Sequence, residues 1–409
     1  MIYASIDIGS DTVKIVVGQV LDNQINVLAS TNTRCVGIKK GLIVEKNMVV
    51  KSINLALSEI KKQLGFSIER AIISLPCYDV NISVYNGEVY TDGVITGDDV
   101  INCFKSAIKG NIADDREVIT VFPIDFLVDG EEKYYDPKGA NGYKLESRML
   151  ISTLPKELVY QYLDVLEECH VEVIDLALSS VCDYSQATHE EFKKNVGAVI
   201  NIGDDKTEVA IFNKGLLIKT NILPFGSKKI DQDIKYIYNL DRGSARTLKE
   251  TLAVAASQYA NASESVEYIS VDGSKKVINQ LELSQIVEAR LLELLKSVKK
   301  SLNTLTNREI SYIIVTGGIS NIAGFNYLLE NVFGDITYMI SMNTLGVRNN
   351  IYSTCYGMIK YYFDKLTLRG IDYTMYDIDT IKNLNKNNKI DEFVLSNVLD
   401  NIQDYVDNN

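Results

Sequence analysis

The chain has 409 residues, 46% of them apolar, with 25 glycines, 5 prolines and a formal net charge of −12. That length predicts two or three domains with ordinary hydrophobic cores, and the low proline content argues against a disordered or fibrous chain. The acidic balance leaves no broad basic face to neutralise phosphates, so nucleic acid is not an expected partner.

Residues 2–30 alternate in the manner of a β-hairpin: IYASIDIG, a turn at Ser10 and Asp11, VKIVVGQV, then INVLAS. Apolar spacing of three and four predicts a helix near 47–64, and AIISLP at 71–76 reads as a strand. From about 80 to 153 the texture changes to short strands and one amphipathic helix (DDVINCFKSAI), the pattern of a small α+β insert. A helix at 155–170 and the strand VEVIDLAL then restore the first pattern. From Ala198, AVINIGDDKTEVAIF repeats the first hairpin: without gaps, Ala4, Ile6, Ile8 and Gly9 fall on Ala198, Ile200, Ile202 and Gly203. The strand TNILPFG, a helix from about 227, a polar helical region at 243–260 and a long helix at 282–303 follow. Next comes the apolar strand YIIVTGG at 312–318, with Gly317 and Gly318 opening a helix, and a small-residue helix at 351–363. After Asp364 the sequence turns polar and asparagine-rich, which predicts a linker to about 389, and IDEFVLSNVLDNIQDYV is helical by period.

The six cysteines lie far apart with no CxxC pair, the usage of buried thiols in a reducing compartment. Cys169 and His170 are neighbours on one helix and point in different directions, so no metal site is expected there. No apolar run reaches the roughly 20 residues that span a bilayer, and Met1 leads straight into a strand, so the expectation is a cytoplasmic protein.

A glycine-bearing hairpin can wrap a polyphosphate, because turn amides point inward and glycine permits close approach. In the first copy Asp7 sits where it would hold Mg2+ through water, beside Gly9. Ser10 and Thr12 are candidate phosphate donors and Lys14 a neutralising cation. The second copy offers Gly203, Asp204, Asp205 and Lys206, and Thr316, Gly317 and Gly318 suit the base and sugar side. Two such hairpins, each starting an α/β half, form a much stronger signal than either alone.

With SIDIGSDTVKIVVG, AVINIGDDKTEVAIF, NILPFGSKKIDQDI, YIIVTGGISNIAGF and IYSTCYGMIKYY, the chain resembles the FtsA family of bacterial cell-division proteins in the actin superfamily. The segment with VITVFPIDFLVD and DPKGANGYKLESRMLISTLP resembles the FtsA-specific subdomain 1C. The resemblance implies an α/β, two-lobed ATPase fold of duplicated ribonuclease-H-like subdomains. Subdomain 1A would hold 1–79, 154–195 and 352–370, and 1C would hold 80–153. Subdomain 2A would hold 196–225 and 305–351, 2B 226–304, with a linker at 371–389 and an amphipathic helix at 390–409. It implies ATP and Mg2+ as cofactors, self-assembly into filaments, other divisome partners, and docking of the FtsZ C-terminal peptide on 226–304. Arg290, Lys296, Lys299 and Lys300 are the candidate surface for that peptide.

The sequence departs from the family at the second hairpin, where DIGGGT is usual: Asn201 replaces an acid, and Asp204 and Asp205 replace glycines. A carboxylate about 4 Å from a phosphate charge costs about 4 kcal/mol at an effective dielectric of 20. Lys206 is expected to offset one of the two new charges. Arg246 stands where the family carries a ribose-binding acid three residues before Lys249. These changes imply weakened nucleotide binding and inefficient hydrolysis, at most a weak ATPase. The tail places Val394, Leu395, Val398, Leu399, Ile402 and Val406 on one helical face, but the opposite face is acidic. The expected role is an adaptor that tethers FtsZ to the inner face of the cytoplasmic membrane at the septum. The alternatives are an ATP-hydrolysing relative of the chaperone or sugar-kinase kind, for which Asn201 is the wrong residue, and a pilus-type scaffold, which has no need of the insert.

Overall fold

Alternation in the first 34 residues builds an antiparallel meander of strands Ile2–Ile8, Thr12–Leu21 and Gln24–Arg34. The computed structural model describes residues 1–186 and 189–376. Helix α1 (Lys46–Leu64) returns the chain along the sheet, so that Arg70–Leu75 pairs parallel to Ile2–Ile8, and Glu172–Leu178 pairs parallel beyond it. Covered on both faces, the inner strands are apolar almost throughout instead of alternating. Helix α1 ends at Gly65, whose left-handed φ of 78° closes the last turn.

Between those parallel strands lies a separate unit. Strands Asn81–Val94, Asn141–Pro155, Arg116–Val128 and Glu132–Tyr134, in that spatial order, form a four-stranded antiparallel sheet with α2 (Gly97–Ile108) on it. It has its own core, with Val100, Cys103 and Phe104 against Phe126, Leu145 and Met149. Thr96 and Asp99 cap α2 reciprocally.

After α3 (Lys156–Glu168) and α4 (Ser179–Ser185) the topology repeats. Val196–Ile202, Thr207–Asn213 and Leu216–Leu223 form a second meander, joined in parallel by Tyr312–Thr316 and then Thr337–Met339. The two five-stranded sheets therefore share one strand order, and the duplication visible in the hairpins extends to whole lobes. Around the second sheet pack α5 (Lys228–Tyr238), α6 (Arg242–Thr251), α7 (Gln280–Leu305) and α8 (Phe325–Phe333), while α9 (Ser353–Arg369) returns to the first sheet. Gly357 makes the return possible: a Cβ there would sit 1.9 Å from the Cys182 carbonyl oxygen, so only glycine lets α9 lie this close to α4.

Four local expectations need correction. The polar region at 243–260 is helical only to Thr251, with a short 3-10 turn at Ser257–Tyr259; Ala253, Ala255 and Ala256 are buried between. Gly317 and Gly318 lead into a 3-10 turn, Gly318–Asn321, and α8 begins only at Phe325. A hairpin, Ser265–Ile269 with Lys275–Asn279, precedes α7 where none was expected, although Asp272-Gly273 between β-branched and aromatic residues is a hairpin signal. Finally, the sequence from Asp364 is not linker throughout. Helix α9 runs to Arg369, and residues 371–376 dock on the first lobe: Thr374 Oγ1 accepts from the Ile2 amide at 2.8 Å and Met375 is buried. Among the described residues no helix is long and apolar enough to cross a membrane.

Candidate functional site

The two repeated turns are built alike. Asp7 lies opposite Lys14 and Asn201 opposite Glu208 in register; Gly9 donates to the Thr12 carbonyl and Gly203 to the Lys206 carbonyl, each at 3.0 Å. Both turns open into one cleft between the lobes, a cavity of about 540 Å3. Asp7, Gly9, Ser10, Thr12, Lys14, Gly203, Asp204, Asp205, Lys206, Lys249, Gly317 and Gly318 all line it. Of the residues expected at the cleft, Thr316 alone does not: it is fully buried behind the wall and donates to Ser353 Oγ at 2.6 Å. Gly317, at φ 95°, brings the backbone against the Ile202 carbonyl, where a Cβ would come within 2.4 Å. Ile319, Ile322 and Ile351 give the far wall an apolar character suited to a base.

Every lysine or arginine in this wall already holds a carboxylate. Lys14 Nζ meets Asp7 Oδ2 at 2.8 Å, and Ser74 donates to Asp7 Oδ1 at 2.7 Å. Burial opposes the Asp7 charge, but Lys14 and the Ser74 hydroxyl hold its carboxyl below the ordinary range. Lys249 is buried against Asp231 at 2.5 Å rather than turned to a ligand. Contrary to the expectation from sequence, Lys206 does not offset the new acids of its turn; it pairs with Glu208, the second residue of the strand that follows. Glu208 is itself buried and accepts from Ser179 and Ser180 across the lobes.

The two acids are answered from elsewhere. Arg242 Nη2 meets Asp204 at 2.8 Å, while Asp205 accepts from the Lys40 amide at 3.0 Å and faces Lys228 at 3.4 Å. Arg246 is more than a lost acceptor: its Nη1 meets Asp11 of the first turn at 2.7 Å and its Nη2 lies 3.5 Å from Asp204. Burial opposes the charge on Asp11, but Arg246 keeps its pKa lowered; burial and the Asp11 charge instead push Asp204 up despite Arg242.

Sequence reading passed over Asp183. Fully buried on α4, it accepts from Asn201 Nδ2 at 2.7 Å, Thr354 Oγ1 at 2.8 Å and Ser353 Oγ at 3.0 Å. Burial raises its pKa to about 7. No local pattern marks it, because its partners lie 18 to 171 residues away.

The other expected residues stand apart from the cleft on α7. Arg290 binds Asp233 and Glu293, Lys299 donates to the Val332 carbonyl at 2.8 Å, and Lys296 and Lys300 are exposed. Val394, Leu395, Val398, Leu399, Ile402 and Val406 lie outside the described residues.

Comparison with known proteins agrees with this architecture. The family model for cell division protein FtsA matches residues 198–357, and that for the SHS2 domain inserted in FtsA matches residues 80–153. The chain is 29% identical over 376 residues to cell division protein FtsA of Bacillus subtilis (strain 168), covering 90% of this chain and 85% of that one. It is 26% identical to its counterpart from Enterococcus hirae, covering 88% and 82%. Among solved structures, the PilM–PilN type IV pilus biogenesis complex aligns with a TM-score of 0.59 at 13% identity, covering 91% of this chain and 99% of that one. MreB5 of Spiroplasma citri bound to ADP aligns at 0.56 and 12% identity, covering 90% and 98%. Two lobes of one topology around a hairpin-lined cleft, an inserted antiparallel sheet, and these matches to the body and the insert lead to one conclusion: the chain has the actin-like ATPase fold and belongs to the FtsA family of cell-division proteins.

Proposed function

We propose that the protein is a division adaptor that self-assembles and tethers FtsZ to the inner face of the cytoplasmic membrane at the septum. The observation that carries this reading is the combination, in one chain, of the FtsA body with its inserted domain. The expected subdomain limits, including 80–153 for the insert and 226–304 for the FtsZ-binding unit, are part of the proposal. Within 226–304, Lys296 and Lys300 supply exposed charge, and Tyr236, Ile269, Val271 and Val277 supply exposed apolar surface. Tyr236 is 88% exposed, far more than a solvated helix face needs of an aromatic.

The cleft fits a nucleotide in shape. The amides of the two turns would hold the phosphates, Asp7 would face the metal, and Gly317 and Gly318 would lie by the adenosine. A bound Mg-ATP would supply a phosphoanhydride to cleave. Activating water against it needs a free base, and this chain lacks one at the second hairpin: Asn201 carries no charge and Glu208 is taken by Lys206 and two serines. Inefficient hydrolysis follows from that, and weakened binding from the carboxylates of Asp204 and Asp205 in the second turn. The deciding experiment is capture of the full chain on FtsZ and on FtsZ lacking its C-terminal peptide. Retention by the first and loss on the second is expected; equal retention, or none, overturns the adaptor role.

A further inference from the structure

Three acids stand in the two phosphate-facing turns: Asp11, Asp204 and Asp205. Left alone, they would repel each other and any polyphosphate. Three cations meet them, and two of these lie one helical turn apart on a single element, Arg242 and Arg246 of α6. This places α6 in ionic contact with the first turn through Asp11 and with the second through Asp204. Arg246 touches both carboxylates, at 2.7 and 3.5 Å, and Arg242 lies 2.8 Å from Asp204 and 4.0 Å from Asp11.

The partners are unequally exposed. The carboxylates are the deeper members, their side chains 16% and 7% accessible, whereas the arginine side chains are 33% and 30% accessible. Arg246 lines the cleft beside Asp11 and Asp204, so an anion entering there meets its side chain together with the acids, whereas Arg242 holds Asp204 from outside that lining. The guanidinium fork that fits a carboxylate fits a phosphate equally well. Arg242 also reaches inward: its buried Nε lies 3.8 Å from Asp231 Oδ2, and neither atom has a hydrogen-bond partner.

We propose that Arg246 is the phosphate-recognising residue of this cleft, and that Asp11 and Asp204 occupy it when no ligand is bound, with Arg242 sharing Asp204. The protein's own carboxylates then clasp α6 across both turns, and a nucleotide binds by taking the Arg246 guanidinium over. Asp204 thus has its counterparts on α6, as Asp205 has Lys228 on α5, and Asp11 and Asp204 act as built-in competitors rather than as plain repulsion. The inference rests on reading the cleft as a nucleotide site, and does not depend on the FtsZ role.

The test uses the full chain and calorimetry with two probes, Mg-ATP and inorganic tripolyphosphate, at fixed ionic strength. Asp11→Asn with Asp204→Asn should tighten Mg-ATP binding about tenfold, and Arg246→Gln should weaken it by at least as much. Tripolyphosphate should follow the same order if Arg246 reads phosphate, whichever molecule carries it. Cleft closure is read independently from the distance between labels on Leu55→Cys and Tyr236→Cys, since the six native cysteines are buried. The ligand-free distance should lengthen in the arginine variant and in high salt. An arginine variant that melts like the parent and binds Mg-ATP as tightly overturns the proposal, as does an acid-to-amide variant that binds more weakly. If no variant binds either probe, the phosphate role falls, while capture by FtsZ on the same samples still judges the adaptor role.

Discussion

Asn201 donates its side-chain nitrogen to Asp183 at 2.7 Å, tying the end of a second-lobe strand to a first-lobe helix. Ser353 and Thr354 complete the shell of this carboxyl, which has no cation among its hydrogen-bond partners. Burial raises its pKa to about 7, so between about pH 4 and 7 the folded state binds a proton that the unfolded state has released. Stability should therefore fall as pH rises through that window, by at most about 4 kcal/mol. Melting curves at pH 5 and pH 8 should show a smaller loss in Asp183→Asn than in the parent. Equal slopes would mean that the carboxyl is already charged at pH 5.

Lys14 and Asp7 are a largely enclosed pair at the cleft wall, 12% and 17% accessible, whose breakage should be costly from one side alone. Lys14→Met leaves the Asp7 carboxylate with Ser74 as its remaining close donor, a change worth about 3–5 kcal/mol. Adding Asp7→Asn removes the stranded charge and should recover most of the loss. Urea denaturation of the single and double variants measures this; a double variant no more stable than the single refutes it.

Gly357→Ala should destabilise by at least 1–3 kcal/mol, roughly the cost of overpacking a dense interface. The clash is with the backbone carbonyl of Cys182, so trimming that side chain with Cys182→Ala should bring no relief. A shift in melting temperature that Cys182→Ala rescues would place the strain elsewhere.

Much of this was readable in the sequence, and the failures share a cause. The hairpins were legible because their alternation and glycine positions are local, and the insert because its texture differs from its flanks. Asp183, Arg242 and the Arg246–Asp11 contact were not, since each depends on elements brought together only by the tertiary fold. Lys206 was misread because Glu208, only two residues on and at the start of the strand, is in the fold a nearer partner than the acids of the turn. Residues 371–376 were hidden by the polar sequence that follows them, although IDYTMY is itself largely apolar and aromatic and docks through Met375 and a bond to the Ile2 amide.

Two truncations should separate docking from tail function. Ending the chain at Gly370 removes Met375 and the Tyr376 hydroxyl, which accepts from the Glu69 and Arg70 amides at 3.1 and 2.8 Å. That truncation should lower the melting temperature, whereas ending the chain at residue 389 should not. If both melt like the parent, the contact with the first lobe carries no stability.

The acidic tail face is a separate prediction, resting on sequence alone. Changing Asp400, Asp404 and Asp407 to Lys should strengthen cosedimentation with liposomes, more on anionic than on neutral lipid, with the gain shrinking at high salt. Tight binding of the unaltered chain to anionic vesicles would show that these charges do not limit it.

The clamp on Tyr376 also sets a leash. Thirteen residues, 377–389, separate it from the segment proposed to reach the membrane, and at about 3.6 Å each they span no more than about 47 Å. Tyr376 is held at the edge where it meets Glu69 and Arg70, a fixed point on the first lobe. If residues 390–409 hold the proposed surface, that edge must stay within the leash of it.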